Sequence, residues 1–383
     1  MKEKRIAYLD GIRGIASLIV VFYHYLISFY PALFASDPQF SHTNSNIESS
    51  IAVTPINILY NSGFAVCLFF LLSGFVLSHK YFINRNLEYL SSSAVKRYFR
   101  LEIPILVSVI ISFIILSLNG YSYVQEIAGY TKCSFWLARL WTIHPDFLDA
   151  LNEAFVSSMF YGGTLHYNDV LWTMNIEFVG SLLVFIVLAL VSNLRRRYLI
   201  YLALMLMFWK GLMPVFIVGL ALCDYYTYKE RAPLKTPLII LFSLIILYMG
   251  SYQRIDHFTI WQPLDRLQKI NQAFPYLIAS VLLIMIAVSS KKLQVFLSLK
   301  WMAFLGKISF SLYLLHLLVL GSISCYLFKL FYIQMGLNYF SSFLLMFILS
   351  LTFTMYASYL MYKYVDRNAI RFSSYFYEKL FKR

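Results

Sequence analysis

Residues 8–25 read YLDGIRGIASLIVVFYHY, an apolar run that admits one cation near its start, Arg13, and one imidazole further in, His24. Eleven residues turn an α-helix by about 1100°, roughly 20° past three full turns, and lift it by about 16 Å. Arg13 and His24 therefore share a face. Ionisable side chains inside a membrane are costly and are kept for function, so the pair reads as an anion-binding cation at the inner end and a reactive ring above it.

The same apolar pattern recurs along the chain. Hydrophobic residues make up 60% of it and charged residues 13%, about half the charged share of a soluble domain, and the mean hydropathy is +0.68. The fold class is all-α, a polytopic membrane helix bundle of about ten transmembrane helices, expected near 12–30, 62–80, 101–119, 170–192, 198–210, 212–226, 237–250, 274–290, 304–324 and 338–362. With the N-terminus placed in the cytoplasm, only seven of the 32 lysines and arginines fall outside: Lys132, Arg139, Lys210, Arg254, Arg266, Lys269 and Lys329. The inner set includes Lys2, Lys4, Arg5, Lys229, Arg231 and the six basic residues of the tail, and this asymmetry puts both termini in the cytoplasm. Basic inner loops facing anionic lipid account for the net charge of +14 without a nucleic acid partner. The N-terminal MKEKRIAYLDG is basic, but no small-residue cleavage site follows; the first run reads as a retained helix, not a signal peptide.

Two outer segments are long. Residues 31–61 have the Ser, Asn, Pro and Asp content of a surface loop, and 120–169 carry FWLARLWTIHPDFLDALNEAFVSSMF, a mixture suited to interfacial helices broken at Pro145. The tail, 363–383, reads as a short basic amphipathic helix on the inner leaflet. The four cysteines have no metal-binding spacing, and no metal is expected; Cys67 and Cys223 lie within spans. Cys133 and Cys325 face outward, which permits a disulfide without requiring one.

Depth sorts the remaining polar residues. His24 lies about 18 Å above the inner edge, Glu177 about 10 Å below the outer edge, and His316 at a similar level. An isolated carboxylate there is costly, so Glu177 must be protonated, paired or wetted. Pairing with His24 would fix the imidazole tautomer and free its other nitrogen as a base. On the inner side Arg97 and Arg100, three residues apart in KRYFRLEIP, lie at the level of Arg13, and guanidinium forks suit phosphate. Asp10 stands three residues before Arg13, with Gly11 and Gly14 allowing close helix approach.

Six segments in order now resemble the acyltransferase-3 family of membrane-bound sugar O-acyltransferases. They are Arg13, ten residues and His24 in the first span; FFLLSGFVLS at 69–78; KRYFRLEIP with Arg97 and Arg100; LWTMNIEFVG with Leu171, Trp172 and Glu177; FLGKISFSLYLLH ending at His316; and YVDRNAIRF near the end. Asp366 and Asn368 stand where the family's closing segment commonly has Glu and Pro, and NIEFVGSLL lacks the usual aromatic pair. The resemblance covers 8–372 and implies a single acyltransferase-type transmembrane domain over 1–383, without a fused esterase-like domain. It implies a multi-pass protein of the bacterial inner (cytoplasmic) membrane that moves an acyl group, commonly acetyl, from cytoplasmic acyl-CoA to a hydroxyl of a cell-envelope glycan such as lipopolysaccharide O-antigen. On this reading Arg13, Arg97 and Arg100 hold the CoA phosphates, His24 is the base or the acyl carrier, Glu177 orients it, and Trp172 and His316 contact substrate. The competing readings are a proton-coupled transporter of a lipid-linked or anionic solute, with His24 and Glu177 as relay, and a scaffold for envelope assembly.

Overall fold

The computed structural model describes residues 6–43, 46–162, 165–227, 233–253 and 259–381. Lys2, Lys4, Arg5, Lys229, Arg231, Arg254, Lys382 and Arg383, which enter the charge argument, lie outside the described residues. Every regular element among the described residues is helical. The helices that matter below are α1 (Ala7–Phe29), α2 (Ser62–Asn84), α3 (Leu87–Ser117), α4 (Trp172–Val191), α5 (Arg197–Met207), α6 (Met213–Thr227), α7 (Thr236–Gly250), α8 (Phe274–Ser289), α9 (Lys291–Leu297), α10 (Lys300–Val319), α11 (Tyr339–Met361) and α12 (Arg367–Phe381).

Six helical segments, built on α1, α2, α3, α4, α10 and the α11–α12 run, are long and apolar enough to cross a membrane. A seventh results if α8 and α9, bent by 101° at their junction, count as one span. Each of the ten expected segments is helical, but α5, α6 and α7 have only 11, 15 and 15 residues. At about 1.5 Å per residue they reach roughly 16–23 Å, short of a hydrocarbon core of about 30 Å.

Local chemistry sets the helix ends. Asn61 caps α2, its side chain accepting from Phe64 N–H at 3.0 Å, and Arg85 closes the helix in the left-handed region at φ 52°. Asn338 caps α11 in the same way, accepting from Ser341 N–H at 2.9 Å. Helix α3 begins at Leu87, well before the expected span, and continues through Pro104. The proline only removes one N–H, which a helix packed among neighbours tolerates. Arg97 and Arg100 thus stand in the body of a helix.

The chain forms two compact units. The first comprises Met1–Val20, Thr54–Arg97 and Ile176–Lys307. Its α2 and α6 cross closely, with Gly74 against the main chain of Phe216 and Gly219 against that of Leu71; a Cβ at either glycine would meet backbone. Helix α8 packs on α7 and α2. The buried Asp224 of α6 takes a forked contact from Arg197 of α5, at 2.5 Å from Nε and 2.9 Å from Nη2.

The second unit comprises Val21–Val53, Tyr98–Asn175 and Ile308–Arg383. The two segments expected outside are not plain loops: they hold the short helices Ala32–Ala35, Ile47–Ala52, Val124–Tyr130 and Phe147–Asn152. Pro145 lies between the short helices Leu137–Arg139 and Phe147–Asn152, and the next residue, Asp146, caps the second by accepting from Asp149 N–H at 3.0 Å. The buried Glu153 gathers the main-chain N–H groups of His166, Tyr167 and Asn168. Burial holds its carboxyl above the usual range even against those three donors. The tail forms α12, which buries Ala369, Ser373 and Tyr377 at four-residue spacing and sets Phe372 and Phe376 against Phe99. All four cysteines are buried and free, so the disulfide left open for Cys133 and Cys325 is not formed.

Candidate active site

Two constellations contain most of the expected residues. In the first unit, α1 brings Arg13, α3 brings Arg97 and α4 brings Glu177. Gly11 lies against Leu297, and Gly14 against Leu305 and Gly306, so the glycines of LDGIRG do give the close approach expected of them. The carboxylate of Glu177 accepts from Ser73 Oγ of α2 at 2.6 Å and from Nη2 of Arg97. Arg97 also donates from Nε to Ser181 Oγ at 2.9 Å, and Ser181 in turn donates to the Glu177 main-chain oxygen at 2.5 Å. The Arg97 and Glu177 side chains are only 11% and 12% exposed. Arg13 pairs with Asp10 at 3.2 Å and lies within electrostatic reach of Glu177. The group is a cation-rich polar site whose carboxylate holds a guanidinium in place.

In the second unit the two histidines meet. Nε2 of His316 lies 2.9 Å from Nδ1 of His24, and Nδ1 of His316 lies 3.1 Å from the main-chain oxygen of Leu312, one helical turn below it in α10. A carbonyl oxygen only accepts, so Nδ1 of His316 carries a proton, and in the neutral ring Nε2 carries the lone pair. His24 must then donate from Nδ1, which leaves the lone pair of a neutral His24 on Nε2. His316 is fully buried, whereas His24 is half-buried and borders the rings of Tyr23 and Trp136.

Residues 168–173 brace this pair. Tyr313 donates to the Val170 oxygen at 2.6 Å and contacts Thr173 Oγ1 at 2.7 Å, and the buried Asn168 donates to the Leu314 oxygen at 2.9 Å. Two residues of the α10 turn before His316 are therefore tied to the 168–173 segment.

The expected partner of His24 is corrected: His24 takes His316, while Glu177 takes Ser73 and Arg97. Depth along a span is one coordinate, and it cannot say which neighbour a side chain turns toward. The Arg97–Arg100 pair is also split. Arg97 is packed, but Arg100 is exposed, with no hydrogen bond or ion pair among the described residues. Trp172, at the start of α4, is 44% exposed. Ser73, Ser181, Asn168, Tyr313 and Trp136 were not singled out from the sequence. Ser73 lay inside the quoted FFLLSGFVLS, and a polar residue in so apolar a run was the available signal.

The chain is similar to three curated proteins, all at 26% identity. The O-acetyltransferase PaAT-1 of Phomopsis amygdali matches over 57% of this chain and 48% of its own length. Acyltransferase R4 of a Phoma species and acyltransferase clz18 of Cochliobolus lunatus each match over 60% of this chain and 59% of theirs. The chain thus spans about half to three-fifths of the relatives it matches. No solved structure matches it. The model of the acyltransferase domain family matches residues 6–363, nearly the whole chain, and the protein belongs to that family, acyltransferase-3.

Proposed function

We propose that the protein is an integral-membrane O-acyltransferase that moves an acyl group from acyl-CoA at the cytoplasmic face to an acceptor hydroxyl. The observation that carries the reading is the directed chain from the Leu312 carbonyl through His316 to His24, because it leaves a lone pair on Nε2 of His24. In the step proposed, Nε2 of His24 takes the acceptor O–H proton while that oxygen bonds to the thioester carbon. The C–S bond then breaks, and the thiolate takes the proton back from His24, so atoms and charge balance. Arg13 and Arg97 bind the donor's phosphates, with Glu177 positioning Arg97 through its carboxylate, and exposed Arg100 adds a peripheral cation. Arg13 and His24 belong to one unbroken helix, and its rise of about 16 Å over eleven residues suits the pantetheine arm.

Similarity to the O-acetyltransferase of Phomopsis amygdali supports an acetyl donor, hence acetyl-CoA. A cell-envelope glycan such as O-antigen is the acceptor that the family resemblance implies, in a bacterial inner membrane with ten crossings and both termini cytoplasmic. Comparing envelope glycans by mass spectrometry with and without the gene tests the acceptor: a lost acyl increment identifies it, and an unchanged envelope removes this part of the reading.

The chemistry is tested with purified protein in lipid nanodiscs, by following CoA thiol release and acyl transfer to a glycan acceptor. His24→Ala is expected to lose about a hundredfold or more in kcat, the scale of a general base. His316→Ala is expected to lose less, since it orients the ring without touching substrate. Undiminished turnover in His24→Ala overturns the proposal, as does solute flux across the bilayer without CoA release.

A further inference from the structure

Trp136 belongs to the segment 120–169, which the sequence offers either as a cover for an external substrate or as an interfacial hairpin. It precedes the short turn Leu137–Arg139, and its indole lies against the imidazole of His24 with ring centroids 5.5 Å apart and planes inclined by 31°. Both side chains are half-buried. The planes are nearer parallel than perpendicular, an inclination at which the imidazole can lie over the electron-rich face of the indole. Tyr23, by contrast, meets the same imidazole at 87°.

The backbone around Trp136 is held firmly enough to make the contact a fixed one. Nε2 of His42 lies 3.1 Å from the Thr131 oxygen, and Lys132 Nζ donates to the Ser41 oxygen at 2.7 Å. Phe135 packs edge-on against Phe40, and the Cys133 oxygen accepts from Leu137 N–H at 3.0 Å, closing the turn that contains Trp136. Lys132 adopts a positive φ of 57°, a backbone conformation that a lysine takes only where its surroundings impose it.

We propose that Trp136 is a positioning residue that stabilises the imidazolium form of His24 through its π face. Resting on the reading of His24 as the base, the idea follows from the charge that His24 acquires when it takes the acceptor proton. A cation within about 6 Å of a tryptophan centroid is attracted by the ring quadrupole, more strongly where water is partly excluded. His316 also favours the charged ring, because the bond from Nδ1 of His24 to its Nε2 becomes charge-assisted, and Trp136 adds the attraction of its ring to that bond. Trp136 therefore acts on the transition state more than on the resting enzyme, and its loss should appear in kcat.

The test is a graded fluorotryptophan series placed at position 136 alone by site-specific incorporation in the full-length protein. Added fluorines withdraw electron density from the ring and leave its shape nearly unchanged. The expected result is a stepwise fall in kcat with each fluorine, an unchanged KM for acyl-CoA, and about a tenfold lower kcat in Trp136→Leu, with Trp136→Phe between. A flat kcat across the fluorinated series overturns the inference, even if Trp136→Leu is slow or fails to fold, because only shape would then matter. His24→Ala in the same assay separates the two ideas. Full turnover in His24→Ala removes the base itself; an inactive His24→Ala beside a flat fluorinated series removes only the role of Trp136.

Discussion

Arg97 and Glu177 hold each other in surroundings that exclude most water, so removing either one strands the other as a buried charge. Arg97→Ala is expected to cost about 3–5 kcal/mol in unfolding free energy, the range for breaking a buried pair. Glu177→Gln keeps an oxygen for Ser73 and Arg97 and should cost less, and the Arg97→Ala/Glu177→Ala double variant should cost less than the two single alanine variants added together. Thermal or denaturant unfolding in detergent measures all four; strict additivity would mean that the two side chains do not act as a pair. At this scale the sequence picks out ionisable groups set in apolar runs and is weak on who meets whom. His24, His316, Glu177, Arg13 and Arg97 stood out because ionisable groups are rare in apolar runs. Their partners depend on how each helix is turned and on what packs beside it. Ser73 and Leu312 decide those contacts, one through a short hydroxyl and the other through a main-chain carbonyl that no side-chain pattern announces.

Helices meet where side chains are small, and α1 is a case in which the spacing was readable. Gly11 and Gly14 stand three apart on the face that also bears Asp10, and a Cβ on Gly14 would come within 2.7 Å of the Gly306 nitrogen and the Leu305 Cβ. Gly14→Val is therefore expected to lower the melting temperature by several degrees and to weaken donor binding, because Arg13 is its neighbour. Gly129, in the short helix Val124–Tyr130, has open space where a Cβ would go. Gly129→Ala should stabilise by up to about 1 kcal/mol, since alanine loses less backbone freedom on folding. If both substitutions had the same small effect, the α1 crossing would not be tight. Element lengths were less legible than element positions. Helix α3 starts at Leu87 because the polar stretch before residue 101 continues the same helical turn, and hydropathy alone sees only its apolar part. Segments 31–61 and 120–169 hold short helices for the related reason that capping residues such as Asp146 act locally, without an apolar run to announce them.

Composition reveals the whole molecule's class readily, since so few charges and so many apolar residues suit a bilayer, but it is silent on how the segments between the long helices respond to acid. His42 is the group to watch there. Its imidazole is stacked on Tyr339 at 3.8 Å, approached edge-on by Tyr30 and bonded to the Thr131 oxygen, while its main-chain N–H donates to Glu48 at 2.8 Å. Burial pushes its pKa down from 6.5 to about 4, with the charge of Lys132 acting in the same direction and the bond to Thr131 opposing it. An unfolded chain therefore binds a proton at His42 as the pH falls below about 6.5, whereas the folded chain does so only near pH 4. Between those values the unfolded state holds more protons, so this group's contribution to stability is intact above the window and is lost progressively as pH falls through it. His42→Gln keeps an N–H for the Thr131 oxygen and does not titrate. Melting temperatures measured in detergent at about pH 7 and about pH 4.5 should fall more steeply in the native protein than in His42→Gln, with the difference confined to that interval. Equal acid losses in the two proteins would mean that the clasp between residues 41–43 and 131–132 does not depend on a neutral His42. The contact between Trp136 and His24 would then have to be held by Lys132 and the Phe40–Phe135 packing alone.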